Sequence, residues 1–528
     1  MKLGYAVSVL LLAASCSDVS ESNPADASSS SGGSSGASGG VAGAGGSGAG
    51  ASGSSGSGSG SSGAGGGSSG SGGSGGDDAG ADVLTSDACP NVALAPKADA
   101  WSMRLPSAGF GGIETKSSGG HTDVFLKSPT DYTRIGARLD WGGTVVFFGL
   151  SANPGSNVID ANDTGRELQI AIYDPTRSRQ PCAWNASCQS SSASCGNSIT
   201  FLGWNPVQGG DECNHGAKVI SQGKVGDALE VVIQPLQWNP DWEAQDCKQS
   251  ACGAVGVPVQ VEYQSRFRFL SEHVVEVETE VRSKESISHP STVQEFPTLY
   301  VSNGKAGPDL PTLLDSAGTT ITLSTPGNDG FLYGNFSSPA PWVSWQDSSK
   351  TYGVGLAMDQ GVKKFQGWRG APPSAPYFHN VRAEMSFGLP AGGTVRGLSY
   401  LALGAFGTVK AELDGVLKKR APFGSLDEPA GDVKLASGSN LKVSGWALDG
   451  AEVSSVEVQL DGQTFATLPV DVARPDVCAM YPMYAGCPAP GFSGNVSLGS
   501  AAPCQVLRLV AKDADGNSQI LGERLITP

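Results

Sequence analysis

Positive charge is scarce in this 528-residue chain: 34 Lys and Arg stand against 50 Asp and Glu, a formal net charge of −16. With no basic stripe to displace phosphate counterions, a nucleic-acid partner is excluded. Long apolar runs are lacking as well. Hydrophobic residues make up 39% of the chain, but none of their runs nears the ~20 residues of a membrane-crossing helix, which excludes a multi-pass membrane protein. His-Glu-x-x-His and Walker loops are absent, and Gly-x-Ser-x-Gly strings fall only within a Gly/Ser tract that offers a nucleophile no scaffold. The sequence implies no metal and no cofactor.

What is present begins with an address. Met1-Lys2 is weakly basic, Ala6 to Ala14 is apolar, and Leu12-Ala13-Ala14-Ser15-Cys16 ends the segment in small residues and a cysteine. This resembles the bacterial lipoprotein signal, which implies lipidation of Cys16, a membrane partner through the lipid anchor, and residues 1–16 as a signal peptide. An ordinary secretory signal is the alternative. Ser17 stands where some bacteria carry an inner-membrane retention aspartate, so the expected location is the outer membrane, at the cell surface or the periplasmic face. Residues 17–82 form the expected tether. Within them, 29–76 are almost wholly Gly and Ser with scattered Ala, a composition that cannot offset ordering entropy. Such a segment spans roughly 35–40 Å as a flexible coil.

From Val83 onward strand signals dominate. Runs such as Thr144 to Phe148, Leu229 to Ile233 and Val395 to Leu403 are short and rich in branched residues. Val261, Tyr263, Ser265, Phe267 and Phe269 alternate with polar residues, and Val275, Val277, Thr279 and Val281 alternate after the turn Leu270-Ser271-Glu272-His273. The pair predicts an antiparallel hairpin. The best helix candidate, Thr408 to Lys419, contains Gly415. The fold expected is mainly β: a large antiparallel β-sandwich over 83–420, then a small one over 421–528. In the second block Asp461-Gly462 predicts a hairpin turn, and Asp513-Ala514-Asp515-Gly516-Asn517 is read as a turn rather than a calcium loop, because Gly516 is fourth and Glu523 eleventh in the series. This block resembles bacterial Ig-like modules through Gly445-Trp446-Ala447-Leu448-Asp449, Leu460-Asp461-Gly462 and the Asp513 to Asn517 turn.

Besides Cys16 there are ten cysteines, an even number that in an exported chain predicts disulfides. Cys478–Cys487 is the pair expected in the second block. Seven of the ten precede it and three lie within it, so two stay free or bridge the two parts. A zinc site finds little support, since only Cys247 and Cys252 approach a ligand hook and only His215 lies close to a cysteine.

The densest polar stretch runs from Asp163 and Arg166 through Trp204, Asn205, Gln208, Asp211 and His215, with Trp238 and Trp242 soon after. Aromatic faces stack on sugar rings, amides and carboxylates pair with hydroxyls, and an ionisable pair moves protons. His215 with Glu295 or Asp211 is the candidate acid/base pair, with Tyr300 as a phenolic acid. Asp163, Arg166, Trp204, Asn205, Gln208, Trp238 and Trp242 would hold the sugar. Each also has a structural reading: a turn and local ion pair for Asp163 and Arg166, loop core for the tryptophans, a cap for His215. Trp368 and His379 are second-tier candidates, while His273 and His289 are read as solvated.

The order of features over about 95–410 resembles galactose-mutarotase-like proteins. These are Trp141-Gly142-Gly143-Thr144-Val145, the Asn162 to Glu167 segment, the Gln208-Gly209-Gly210-Asp211 loop with His215, and long hairpins ending in Glu295. The resemblance implies an antiparallel sandwich and proton transfer by a histidine and a carboxylate at a sugar ring. Function is expected to be binding of an extracellular polysaccharide by a tethered lipoprotein and, in its finer form, cleavage by hydrolysis or β-elimination. A non-catalytic glycan-binding adhesin and a structural envelope protein are the alternatives.

Overall fold

The computed structural model describes residues 89, 92–94, 104–161, 167–174, 200–203, 217–235, 258–305, 307–326, 331–359, 361–370, 378–434, 440–497 and 504–527. The chain is mainly β, and antiparallel sheets make up its body. One large sheet runs in the order Thr312–Asp315, Trp342–Gln346, Gly353–Met358, Thr394–Leu403, Val274–Ser283, Val261–Phe269, Ala228–Gln234, Lys218–Val225. The other follows the path Thr325–Pro326, Phe331–Phe336, Phe365–Gly370, Phe378–Ala383, His289–Ser302, Leu168–Asp174, Thr200–Gly203, with Met385–Leu389 pairing beside His289–Ser302. Alternation along each strand sends one set of side chains into a shared core. Val275, Val277, Val281, Tyr263, Phe267 and Leu401 come from the first sheet; Leu299, Val301, Val381, Phe365, Ile170 and Ile172 come from the second. The predicted hairpin is present, with Val275 opposite Phe269 and Val281 opposite Tyr263.

A four-stranded sheet (Gly112–Ser118, His121–Lys127, Thr133–Arg138, Thr144–Leu150) extends that core through Val124, Leu126, Ile135 and Phe148. Gly142 and Gly143, which open its last strand, both have left-handed backbones, at φ 62° and 71°. A Cβ on Gly143 would lie 2.4 Å from Val231 Cγ1, so conformation and crowding both require glycine there.

The helix extends over Phe406–Lys419. Val409, Leu413, Val416 and Leu417 bury one face against Trp342, Leu398 and Tyr400 on the outside of the first sheet. Contact is close enough that a Cβ at Gly355 would sit 2.5 Å from Val409. A Cβ at Gly415 would meet nothing within 4 Å, so that residue costs helix propensity but no packing.

Beyond the helix, a three-stranded sheet (Phe423–Glu428, Asn440–Leu448, Gly491–Ser497) faces a five-stranded one ordered Val433–Lys434, Ser518–Thr527, Gln505–Asp513, Val453–Leu460, Gln463–Leu468. Between them lies a core of their own, including Val443, Val456, Phe492, Leu507, Leu509 and Ile526. Asp513 Oδ1 accepts from the amides of Asp515 at 2.9 Å and Asn517 at 2.8 Å, the hydrogen bonding of a side-chain-closed turn. Cys478 pairs with Cys487, and Cys89 pairs with Cys504, joining the start of the described chain to this last unit. The small sandwich also docks on the large one. Met483 enters the main core, and Lys418 Nζ lies 3.0 Å from Asp515. Cys182, Cys188, Cys195, Cys213, Cys247 and Cys252 lie outside the described residues.

Candidate functional site

On the face of the second sheet turned away from the core, alternation places polar and aromatic side chains where a solvated sheet would carry small or charged ones. Val381 and Ala383 point inward from Phe378–Ala383, so Phe378, Asn380 and Arg382 point outward. By the same rule Gln366 and Trp368 point outward from Phe365–Gly370, and Thr298, Tyr300 and Ser302 from His289–Ser302. Strand register then aligns two neighbouring rows. Gln169, Thr298, Arg382, Gln366 and Asn335 form one; Tyr300, Asn380, Trp368 and Tyr333 form the other.

The first row is a hydrogen-bonded network around Glu295. Its carboxylate pairs with Arg382 and accepts from Gln169 Nε2 at 2.6 Å and Thr298 Oγ1 at 3.0 Å. Arg382 also donates to Gln366 Oε1, which accepts from Trp368 Nε1 at 3.0 Å, and Gln366 Nε2 donates to Asn335 Oδ1 at 2.9 Å. Glu295 is 2% exposed and Arg382 2%, so the pair is a buried one, stable only because further donors complete it. A carboxylate held by three donors serves as a fixed anion that orients the row, a role different from proton transfer.

The second row is aromatic. Tyr333 stacks on Trp368 with ring centroids 4.8 Å apart, Phe331 meets Trp368 edge-on at 5.9 Å, and Tyr300 meets Phe378 at 5.1 Å. Among these rings sits Asn380, 1% exposed, with neither its amide oxygen nor its amide nitrogen hydrogen-bonded among the described residues. Ser302 Oγ and Gln169 Oε1 on the same face are also buried without partners. Each such atom costs about 1–3 kcal/mol if nothing meets it.

Three residues singled out from sequence therefore meet here: Glu295, Tyr300 and Trp368. Tyr300 is fully buried in the aromatic cluster. His379 lies on the opposite face, stacked on Trp345 at 4.9 Å, and its Nδ1 accepts from the Gly370 amide at 3.1 Å. Burial, aided by the charge of Arg369, pushes it down to about 3, so the ring is neutral. His289, expected to be solvated, is instead 3% exposed: its ring lies 2.7 Å from Glu285 and its strand pairs there with Met385–Leu389, Leu389 opposite it. His273 is half-buried, with Nδ1 3.0 Å from the Leu403 carbonyl. Asp163, Arg166, Trp204, Asn205, Gln208, Asp211, His215, Trp238 and Trp242, like Cys16, lie outside the described residues. Sequence reading passed over Gln169, Gln366, Asn380 and Arg382. Their signal was the alternation itself, in strands whose non-core positions carry amide, arginine and tryptophan.

A second set of buried charges occupies the outer face of the first sheet. Glu276 pairs with Arg268, Glu280 with Arg396 and Arg282, and Arg420 with Asp359. Arg104 lies 2.7 Å from Glu278, yet burial outweighs that pairing and, with Glu276 nearby, pushes the Glu278 carboxyl up to about 7. The pairing is incomplete, since Glu276 Oε2 is buried without a hydrogen bond among the described residues.

No family model matches the chain, and no curated protein does. Among solved structures it is similar to a putative aldose 1-epimerase from Klebsiella pneumoniae, at 11% identity and TM-score 0.32, over 58% of this chain and 88% of that one. A putative mutarotase from Salmonella typhimurium is similar at 8% identity and TM-score 0.28, over 57% and 97%. A polysaccharide lyase is similar at 9% identity and TM-score 0.29, over 80% of this chain and 47% of the lyase. Likenesses this distant carry no inference about chemistry, which rests on the side chains described above.

Proposed function

We propose that the chain binds an extracellular polysaccharide through the Tyr300–Asn380–Trp368–Tyr333 face of the large sandwich. The observation that carries this reading is Asn380: a buried amide with no partner, flanked by aromatic rings and beside an ordered amide–guanidinium–carboxylate row. Sugar hydroxyls both donate and accept, so they match an unpaired amide, while indole and phenol faces suit the apolar face of a pyranose. The tether and Cys16 would hold this domain at the outer membrane as a lipoprotein, and the terminal sandwich would act as an Ig-like spacer. Asp163, Arg166, Trp204, Asn205, Gln208, Asp211, His215, Trp238 and Trp242 would also contact the sugar. Of the rival readings, engagement of Glu295 by Arg382, Gln169 and Thr298 favours binding without cleavage.

The test is a titration of the full chain against a polysaccharide panel, with reducing ends and the ultraviolet absorbance of unsaturated uronates read in parallel. Binding without either product supports the binding-protein reading. Product formation that His215→Ala abolishes, with binding intact, supports the hydrolase or lyase reading. Absence of binding to every glycan refutes both.

A further inference from the structure

The outer face of the four-stranded sheet carries a cation that the polysaccharide reading leaves unused. Phe125 and Phe147, from the two strands that flank Thr133–Arg138, meet edge-on with centroids 5.8 Å apart, and the Arg134 guanidinium lies over both, its carbon 4.7 Å from one ring centroid and 4.9 Å from the other. The sequence builds this slot at Gly136, where any Cβ would come within 2.5 Å of the Phe125 ring. Arg134 is 7% exposed, its Nε is buried without a hydrogen bond, and no carboxylate among the described residues lies within ion-pair distance.

Its neighbours on that face are all paired. Arg138 grips Asp123 at 2.7 and 3.0 Å; Lys127 lies 2.9 Å from Asp131, and Lys116 3.3 Å from Glu114. Asp131 acts on Arg134 only through space. Arg138 also lies over the Trp141 ring at 4.3 Å, and Trp141 Nε1 is a second buried donor without a partner. A desolvated, flat guanidinium held by two rings keeps its fork oriented, so little side-chain entropy is lost when an oxyanion arrives. Its shape suits a carboxylate, which accepts two parallel N–H bonds.

We propose that Arg134 is an oxyanion-binding site for the carboxylate of an acidic polysaccharide, separate from the Asn380 face, with Phe125, Phe147 and Trp141 as its apolar walls. The choice of a glycan as carrier rests on the polysaccharide reading; the oxyanion chemistry does not. In a chain of net charge −16, one unpaired cation also supplies selectivity, because an acidic polymer is repelled elsewhere.

The experiment measures affinity of the full chain for oligogalacturonate, for its neutral methyl ester and for inorganic phosphate, with wild type, Arg134→Gln and Arg134→Lys. The acid should bind about ten- to a hundredfold more tightly than the ester, weaken with salt, and lose that advantage in Arg134→Gln. Arg134→Lys keeps the charge without the fork and should recover only part of it. Equal affinity for acid and ester in wild type, or an unchanged ratio in Arg134→Gln, overturns the site. Should Arg134→Gln fail to fold, the wild-type ratio and Arg134→Lys decide. Phosphate binding without oligogalacturonate binding refutes the glycan carrier. If the ester binds through Asn380 and the acid shows no preference, only this inference fails. If the acid alone binds, and does so through Arg134, the Asn380 reading fails instead.

Discussion

Replacing Asn380 by leucine separates a binding residue from a structural one. In the free protein the amide is buried among Tyr300, Phe378 and Trp368 with two polar atoms unmet. Burial of an amide without hydrogen bonds costs about 1–3 kcal/mol, and an apolar side chain of the same branching removes that cost where the larger methyl groups fit the site. Asn380→Leu should therefore stabilise the unliganded chain by about 1–3 kcal/mol. For a domain of this size that raises Tm by about 1–2 °C per kcal/mol. The same change should abolish glycan binding, because the sugar loses both a donor and an acceptor. Calorimetry without ligand gives the first quantity and titration with the best glycan of the panel gives the second. A fall in Tm would refute the reasoning, since the amide would then be hydrogen-bonded in the free protein. A rise in Tm with unchanged affinity would show that the orphaned amide has nothing to do with sugar.

Other expectations follow from the buried charges and the long-range disulfide. Arg382→Ala leaves the Glu295 carboxylate buried without its counter-ion and should cost about 3–5 kcal/mol in denaturant unfolding. Glu278 is pushed up to about 7 in the folded chain against an ordinary value of 4.5, so its contribution is fully present below the unfolded value and lost as pH rises to about 7. Glu278→Gln should flatten the Tm-versus-pH curve across that window, and an unchanged curve would contradict the assignment. Cys89 and Cys504 are 415 residues apart, and cross-linking so long a loop is worth about 6 kcal/mol in the chain-entropy account. Cys504→Ala should lower the melting temperature and make it insensitive to reductant at that site.

The strands were legible because their residues alternate. Val261 to Phe269 and Val275 to Val281 have one face in the core and one outside it, and period 2 records that directly. The helix was legible from Val409, Leu413 and Val416 despite Gly415, because its buried stripe outweighs one poor helix former. The site was legible only in part. Glu295, Tyr300 and Trp368 attract notice as a carboxylate, a phenol and an indole, although Glu295 lies mid-strand rather than at a strand end. Their partners Arg382, Gln366 and Gln169 come from three strands far apart in the chain, and register alone brings them together. Nor could the sequence indicate that Glu295 would be neutralised by Arg382, since 87 residues separate them. His289 shows the converse: an i,i+4 carboxylate at Glu285 was in plain view, but the burial of the pair follows from tertiary packing that the local sequence does not record.

The most direct test of the central claim is a crystal structure of the full chain with a bound oligosaccharide. The account predicts a pyranose ring against the Trp368–Tyr333 pair, with a hydroxyl within hydrogen-bond distance of the Asn380 amide. Sugar seated elsewhere, with ordered water meeting both amide atoms of Asn380, would contradict it.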